Sequence, residues 1–172
     1  GPARNMGLRS AKGDYIVFAD ADDYLPDVDI FRKYISMAEQ TGADIVVSNY
    51  ARLWENRVLP AVKHETFALC SPYSEEFRFR GFFSVGTLSY VWGKFYRSEF
   101  LKKYQTIFGN ISYAEDKLFN MECYICDAKY VFLEDTGYIY RKNDTSVSWQ
   151  YRPDSTQNWF KLANELKGWI EK

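Results

Sequence analysis

Cysteine and histidine are scarce in this sequence: its 172 residues hold three cysteines and one histidine. An odd cysteine count does not build the disulfide framework of a small secreted domain, so a reduced compartment is the better expectation. Cys123 and Cys126 have C-x-x-C spacing. A redox pair of that kind sits at a helix N-terminus behind a strand. This pair falls inside an expected helix, and no second pair completes a zinc site, so it reads as packing. The histidine, His64, stands in a polar stretch and reads as a surface residue. No run of about 18 apolar residues exists to make a membrane-spanning helix. The chain opens Gly1-Pro2-Ala3-Arg4-Asn5, with neither the apolar segment of a secretion signal nor an initiator methionine. The numbering is therefore expected to begin inside a longer natural chain. Excess charge of either sign is also lacking: 22 basic against 23 acidic residues leave a formal net charge of −1. That balance argues against a polyanion-binding surface, and nucleic acid is not an expected partner. There is no G-x-G-x-x-G loop, no phosphate-binding loop, no repeat and no low-complexity linker.

Apolar residues are plentiful, at 47%, and 19% of the chain is aromatic. This composition suits one globular domain over residues 1–172 with a core of its own. Residues 3–12 read as an amphipathic helix stopped by Gly13. Tyr15-Ile16-Val17-Phe18-Ala19 is a continuous apolar run, as in a strand buried on both faces of a parallel sheet. It ends in Asp20-Ala21-Asp22-Asp23. Pro26 and Asp27 open a helix with Ile30, Phe31, Tyr34, Ile35 and Ala38 on one face, ended by Gly42. Ile45-Val46-Val47-Ser48 is a second buried strand. Helix, strand, acidic turn, helix, strand is half of a doubly wound unit, and it predicts an α/β, three-layer α/β/α fold with a mostly parallel mixed sheet. Further on, residues 75–83 read as helical and residues 90–96 as a strand. Short and longer helices are expected over residues 98–104 and 114–128. Residues 130–133 and 138–141 read as strands, and residues 156–170 as an amphipathic helix.

Asp20, Asp22 and Asp23 crowd the end of a buried strand. Carboxylates so close repel one another unless a cation or solvent screens them. Oxygen ligands suit a hard ion, Mg²⁺ or Mn²⁺. In α/β sheets ligands bind beyond the carboxyl ends of strands, where this turn should lie. A metal there could neutralise a diphosphate leaving group. The simpler role, for Asp23 above all, is to cap the turn or the next helix.

The linked blocks Ala3-Arg4-Asn5-Met6-Gly7, Ala11-Lys12-Gly13-Asp14-Tyr15-Ile16-Val17-Phe18 and Asp20-Ala21-Asp22-Asp23 resemble the central block of family 2 glycosyltransferases, A-R-N-x-G, then A-x-G-x-Y-I-x-F-x-D-x-D-D. The resemblance implies a nucleotide-diphospho-sugar transferase, Rossmann-like fold lacking its first strands, since family members carry a strand, a helix and a second strand ahead of this block. It further implies transfer of a sugar from a nucleotide-sugar donor, UDP-sugar foremost, to a saccharide or lipid-linked acceptor in bacterial surface polysaccharide or glycoconjugate synthesis. By the same resemblance Asp20 and Asp22 hold Mn²⁺ or Mg²⁺ and the donor diphosphate, and Arg4 lies by the donor. The cytoplasm, or the inner face of the membrane, is the expected location. The open sheet edge left by the absent strands is expected to pair with a second copy.

Glu115-Asp116 opens the helix expected from residue 114. Acidic residues in a first turn complement the helix dipole, which is the simpler account of them. An inverting sugar transfer also needs a carboxylate to accept the acceptor hydroxyl's proton. In the family an E-D pair ahead of an apolar helix supplies it, which implies Asp116 as the base with Glu115 in support. Val91-Trp92-Gly93-Lys94-Phe95-Tyr96 resembles the family's W-x-K-L-Y segment. Trp92 and Lys94 become acceptor-binding candidates, against the simpler roles of a core tryptophan and a solvated or packing lysine. Tyr138-Ile139-Tyr140-Arg141, then Thr145-Ser146-Val147-Ser148, resembles the Y-x-Y-R…S-x-S ending. Some relatives place a histidine after that arginine, but here Lys142-Asn143 follow. Two alternatives remain. A carbohydrate-binding or assembly module on this fold would not need Asp20 and Asp22. A phosphatase of the haloacid dehalogenase type is a poor match, because Tyr24 stands where its D-x-D-x-T/V motif fails.

Overall fold

The structure is a computed structural model that describes residues 1–62, 77, 82, 85–111, 113–142 and 153–170. The elements run α1 (Pro2–Ser10), β1 (Tyr15–Ile16), α2 (Ile30–Thr41), β2 (Ile45–Trp54), β3 (Arg57–Val62), α3 (Val85–Leu88), β4 (Lys94–Arg97), α4 (Ser98–Tyr104), α5 (Glu115–Ile125), β5 (Tyr130–Arg141) and α6 (Ser155–Ile170). The helix expected over 75–83, His64 and the S-x-S segment at 145–148 lie outside the described residues.

Local chemistry sets several boundaries. Pro2 starts α1, where its missing N–H costs nothing. Gly42 closes α2 in the left-handed conformation, φ 67°, its N–H donating to Ala38 O at 2.9 Å. Glu55 and Asn56, both at positive φ, make the two-residue turn that folds β3 back on β2.

β2 is the centre of the sheet. It pairs with β4 and β3 in antiparallel sense and with β5 in parallel sense, and β1 pairs with the outer side of β4, again antiparallel. Alternation along the strands divides the core into layers. Val46, Phe95, Val131 and Leu133 pack under Ile30, Tyr34 and Ala38 of α2. Ile45, Val47, Tyr96, Tyr130 and Phe132 face Phe100 and Leu101 of α4 and Phe119 and Cys123 of α5. A sheet between helical layers is the α/β architecture expected.

The strand sense corrects the sequence reading, because among the described strands only β2 and β5 pair in parallel, beside a single parallel bridge from Phe18 to Trp92. Apolar runs such as Ile45–Val47 report burial on both faces, which helices on both sides of a sheet supply whatever the strand direction. A two-residue hairpin forces β3 antiparallel.

Candidate active site

The acidic turn is fastened to β5. Asp23 N donates to Asp20 O at 3.2 Å and closes the turn. The Tyr138 hydroxyl donates to Asp23 Oδ2 at 2.7 Å, and the Arg141 N–H donates to Asp23 Oδ1 at 2.8 Å. The same hydroxyl accepts the Asp20 N–H at 3.0 Å. Burial raises the Asp23 pKa, against the pull of these two donors. Asp23 is thus committed to holding the turn. Asp22 is exposed and Asp20 half-buried.

α5 carries the second pair. Its first turn holds Glu115 and Asp116 behind Ala114, which is left-handed at φ 65° and gives no side-chain cap, so the acids complement the dipole alone. Phe119 and Cys123 bury the helix against the sheet, Leu118 packs with Ile111 and with Leu162 of α6, and together they fix where that first turn points.

Arg4 joins the two acidic groups. Its Nη2 donates to Asp20 Oδ1 at 2.9 Å, and its Nη1 donates to Glu115 Oε1 at 3.4 Å and to Asp116 Oδ1. The guanidinium lies over the Phe108 ring, 5.4 Å from its centre. Asn5 fixes that ring's backbone, donating to Phe108 O at 2.9 Å and accepting from Phe108 N at 2.8 Å. Burial works against the charge of Arg4, but Asp116, Asp20 and Glu115 outweigh it and raise its pKa. Burial also drives the Asp116 carboxyl up to about 6; Arg4 and the Val91 N–H, which donates to Oδ2 at 3.3 Å, oppose the rise, while Glu115 and Asp20 add to it. A carboxyl of that pKa is ionised at neutral pH and still basic enough to take a proton.

The donor set suits a hard divalent ion in part. Asp20 and Asp22 supply oxygen ligands, and Mg²⁺ or Mn²⁺ bound through one or two carboxylates completes its shell with water and phosphate oxygens. Among the described residues no group of three or more His, Cys, Asp or Glu side chains gathers to hold a metal by itself.

The two acceptor candidates are corrected. Lys94 is 1% exposed and donates to Gly86 O at 3.0 Å and to Tyr90 O. Trp92 is 4% exposed, stacked between Tyr90 at 4.2 Å and Tyr138 at 4.5 Å. Neither offers a surface to an acceptor. Lys94 opens β4 and Trp92 lies just ahead of it, bridged to Phe18, at positions whose exposure depends on which layer covers them, which spacing does not reveal. Sequence reasoning missed Tyr138 and the Val91 N–H as site-builders, while Asn5 came only as part of the A-R-N-x-G block that shapes the donor site. The Y-x-Y-R motif held a signal for the first; the second is a backbone group, which leaves no trace in sequence.

The sheet between helical layers is the fold of a glycosyltransferase, and the chain belongs to glycosyl transferase family 2, whose sequence model matches residues 1–113. Glu115 and Asp116 lie just past that stretch. The uncharacterized glycosyltransferase EpsJ of Bacillus subtilis is 30% identical over 149 residues, 85% of this chain and 43% of that protein. The poly(ribitol-phosphate) beta-glucosyltransferase of Bacillus spizizenii is 26% identical over 156 residues, 89% of this chain and 23% of that protein. The crystal structure of S. aureus TarS residues 1–349 in complex with UDP-GlcNAc superposes with a TM-score of 0.74 at 24% identity, covering 96% of this chain and 46% of that one. The chain thus spans less than half the length of each of these relatives.

Proposed function

We propose that this chain carries the metal-binding and base-bearing part of an inverting, metal-dependent glycosyltransferase that uses a UDP-sugar in bacterial surface polysaccharide synthesis. The observation that carries this reading is the reach of one guanidinium, Arg4, to both Asp20 and Asp116. The two carboxylates an inverting transfer needs, one at the leaving diphosphate and one at the attacking hydroxyl, thereby share one site. The UDP-GlcNAc bound by TarS and the glucosyl transfer named for the Bacillus spizizenii relative support a UDP-sugar donor.

In the proposed reaction Asp116 accepts the proton of the acceptor hydroxyl as its oxygen attacks the anomeric carbon. The carbon–oxygen bond to the diphosphate breaks on the opposite face, and UDP leaves with the bonding electrons. Asp20 and Asp22 would hold the divalent ion, which supplies charge neutralisation to the departing diphosphate. Arg4 balances the buried charge of Asp116 and Glu115 and keeps the two acidic groups at a fixed separation. The cytoplasm, up to the inner face of the membrane, is the proposed location, and it rests on three cysteines without a disulfide framework.

Calorimetric titration of UDP, with and without Mn²⁺, tests this reading on the chain and on Asp22→Asn. Manganese-dependent binding lost in the variant is the expected result. Binding that is indifferent to both metal and Asp22 would contradict it and favour a carbohydrate-binding module.

A further inference from the structure

The backbone donor that touches Asp116 belongs to the segment between α3 and β4, which has little regular structure of its own. The Val91 N–H meets Asp116 Oδ2 at 3.3 Å, while Arg4 bonds the other oxygen. Buried polar side chains hold Val91 from beneath. Lys94 of β4 donates Nζ to Gly86 O at 3.0 Å and to Tyr90 O. Asn120 of α5, 2% exposed, donates Nδ2 to Leu88 O at 2.8 Å and to Tyr90 O at 3.0 Å. The Tyr96 hydroxyl lies 3.1 Å from Asn120 Oδ1 and 3.3 Å from Val91 O. Carbonyls 86, 88, 90 and 91 are thus each met by a side chain of β4 or α5.

A lysine shut away from water is costly, and a core that needed only volume would be served better by an apolar side chain. What the ammonium gains here is the α3 end and the Tyr90 carbonyl. Asn120 stands one helical turn after Asp116 on α5, so the helix that carries the acid also carries part of the clamp on its partner.

We propose that Lys94, with Asn120 and Tyr96, is a positioning residue for Asp116: the clamp fixes Val91, whose N–H holds one carboxylate oxygen and so aims the other. The proposal rests on Asp116 being the base. The charged groups that face Asp116 are Arg4 from α1, Glu115 beside it on α5, Asp20 from the acidic turn and Lys94 from β4.

The test follows the Val91 amide resonance of this chain by NMR from pH 4 to pH 8. In the wild type its lower step should titrate with Asp116, near 6, below that of Lys94, which burial pushes down to about 7. Lys94→Met, shown folded by its amide spectrum, should move the midpoint up by about half a unit or more, through loss of both the cation and the fixed N–H. Asn120→Ala keeps the cation and should move it the same way by less. A Val91 amide that ignores pH in the wild type, or an unchanged midpoint in folded Lys94→Met, overturns the proposal. Should Lys94→Met fail to fold, an unchanged midpoint in Asn120→Ala overturns it instead. The readout needs no turnover, so its failure removes the clamp and leaves the transferase reading to the UDP titration.

Discussion

Asp116 carries the sharpest consequences of the site at the level of single residues. As the proposed base, it would work only when ionised, so kcat/KM in the full-length transferase should fall on the acid side with an apparent pKa near 6. Asp116→Asn should lower kcat by about 10²–10⁴-fold with UDP binding retained; calorimetry beside a turnover assay reads both, and equal loss of binding would make the residue a donor ligand instead. The same shift affects stability. The folded carboxyl holds its proton to about 6, against the ordinary 3.8 of an unfolded chain. Between those values the folded state binds more protons, so the Asp116 contribution to stability is present below 3.8 and is lost as pH rises through about 6. The uncharged Asp116→Asn should therefore gain stability relative to the wild type between pH 4 and pH 7, by no more than about 3 kcal/mol at about 1.4 kcal/mol per unit. Urea unfolding at the two pH values measures it, and a gap that stays constant would mean that burial leaves this acid unshifted. The acids themselves were legible in the sequence as pairs at a strand end and a helix start. Their connection was not. Arg4 reaches partners 16 and 112 positions away, which only the packed fold brings together.

Local patterns located most elements, though not α3 and not β3 as a definite strand, because burial leaves a period in the sequence wherever a helix or strand presents one face. They failed where two elements merge. Residues 130–133 and 138–141 read as separate strands, yet both belong to β5. Along β2, Ser48 pairs with Leu133 and Asn49 with Thr136, so Glu134 and Asp135 stand outside the ladder. Asn49 Nδ2 donates to Glu134 O at 2.8 Å and satisfies the bulge. The polar residues that looked like a loop are the cost of this irregularity. Gly137 follows it against the buried pair in which the Tyr34 hydroxyl donates to Ser48 Oγ at 2.7 Å. A Cβ at 137 would sit 2.2 Å from both Ser48 Oγ and the Tyr34 hydroxyl. Ser48 is itself tied to Gly93 O at 3.1 Å, so it has little room to yield. Gly137→Ala should cost about 1–3 kcal/mol, the usual range for overpacking. A lower urea midpoint at constant slope would confirm it; an unchanged midpoint would mean that β5 shifts freely at its bulge.

The sheet as a whole has two ends, and they are protected differently. β5, on the far side of β2, forms one end and is met there by Tyr24, which exchanges backbone bonds with Ile139, while β3 lies on the same side of β2 as β4 and carries Pro60 and Arg57, residues that discourage further strand pairing. β1 at the other end pairs only with β4 among the described residues, and its continuation through Val17 and Phe18 has neither proline nor charge. The β1 edge is where another strand would add. The α/β layers were readable because apolar runs report burial on both faces. Strand sense was not, since it follows from which end of the sheet each connection returns to. The free edge follows in turn from that topology. A second copy of the chain could pair along it, and the formal net charge of −1 opposes self-association only weakly. Sedimentation equilibrium on the 20.2 kDa chain should then show a mass that climbs toward the dimer with concentration and differs little between low and high salt. A monomer mass across the whole range would mean that β1 stays unpaired in solution.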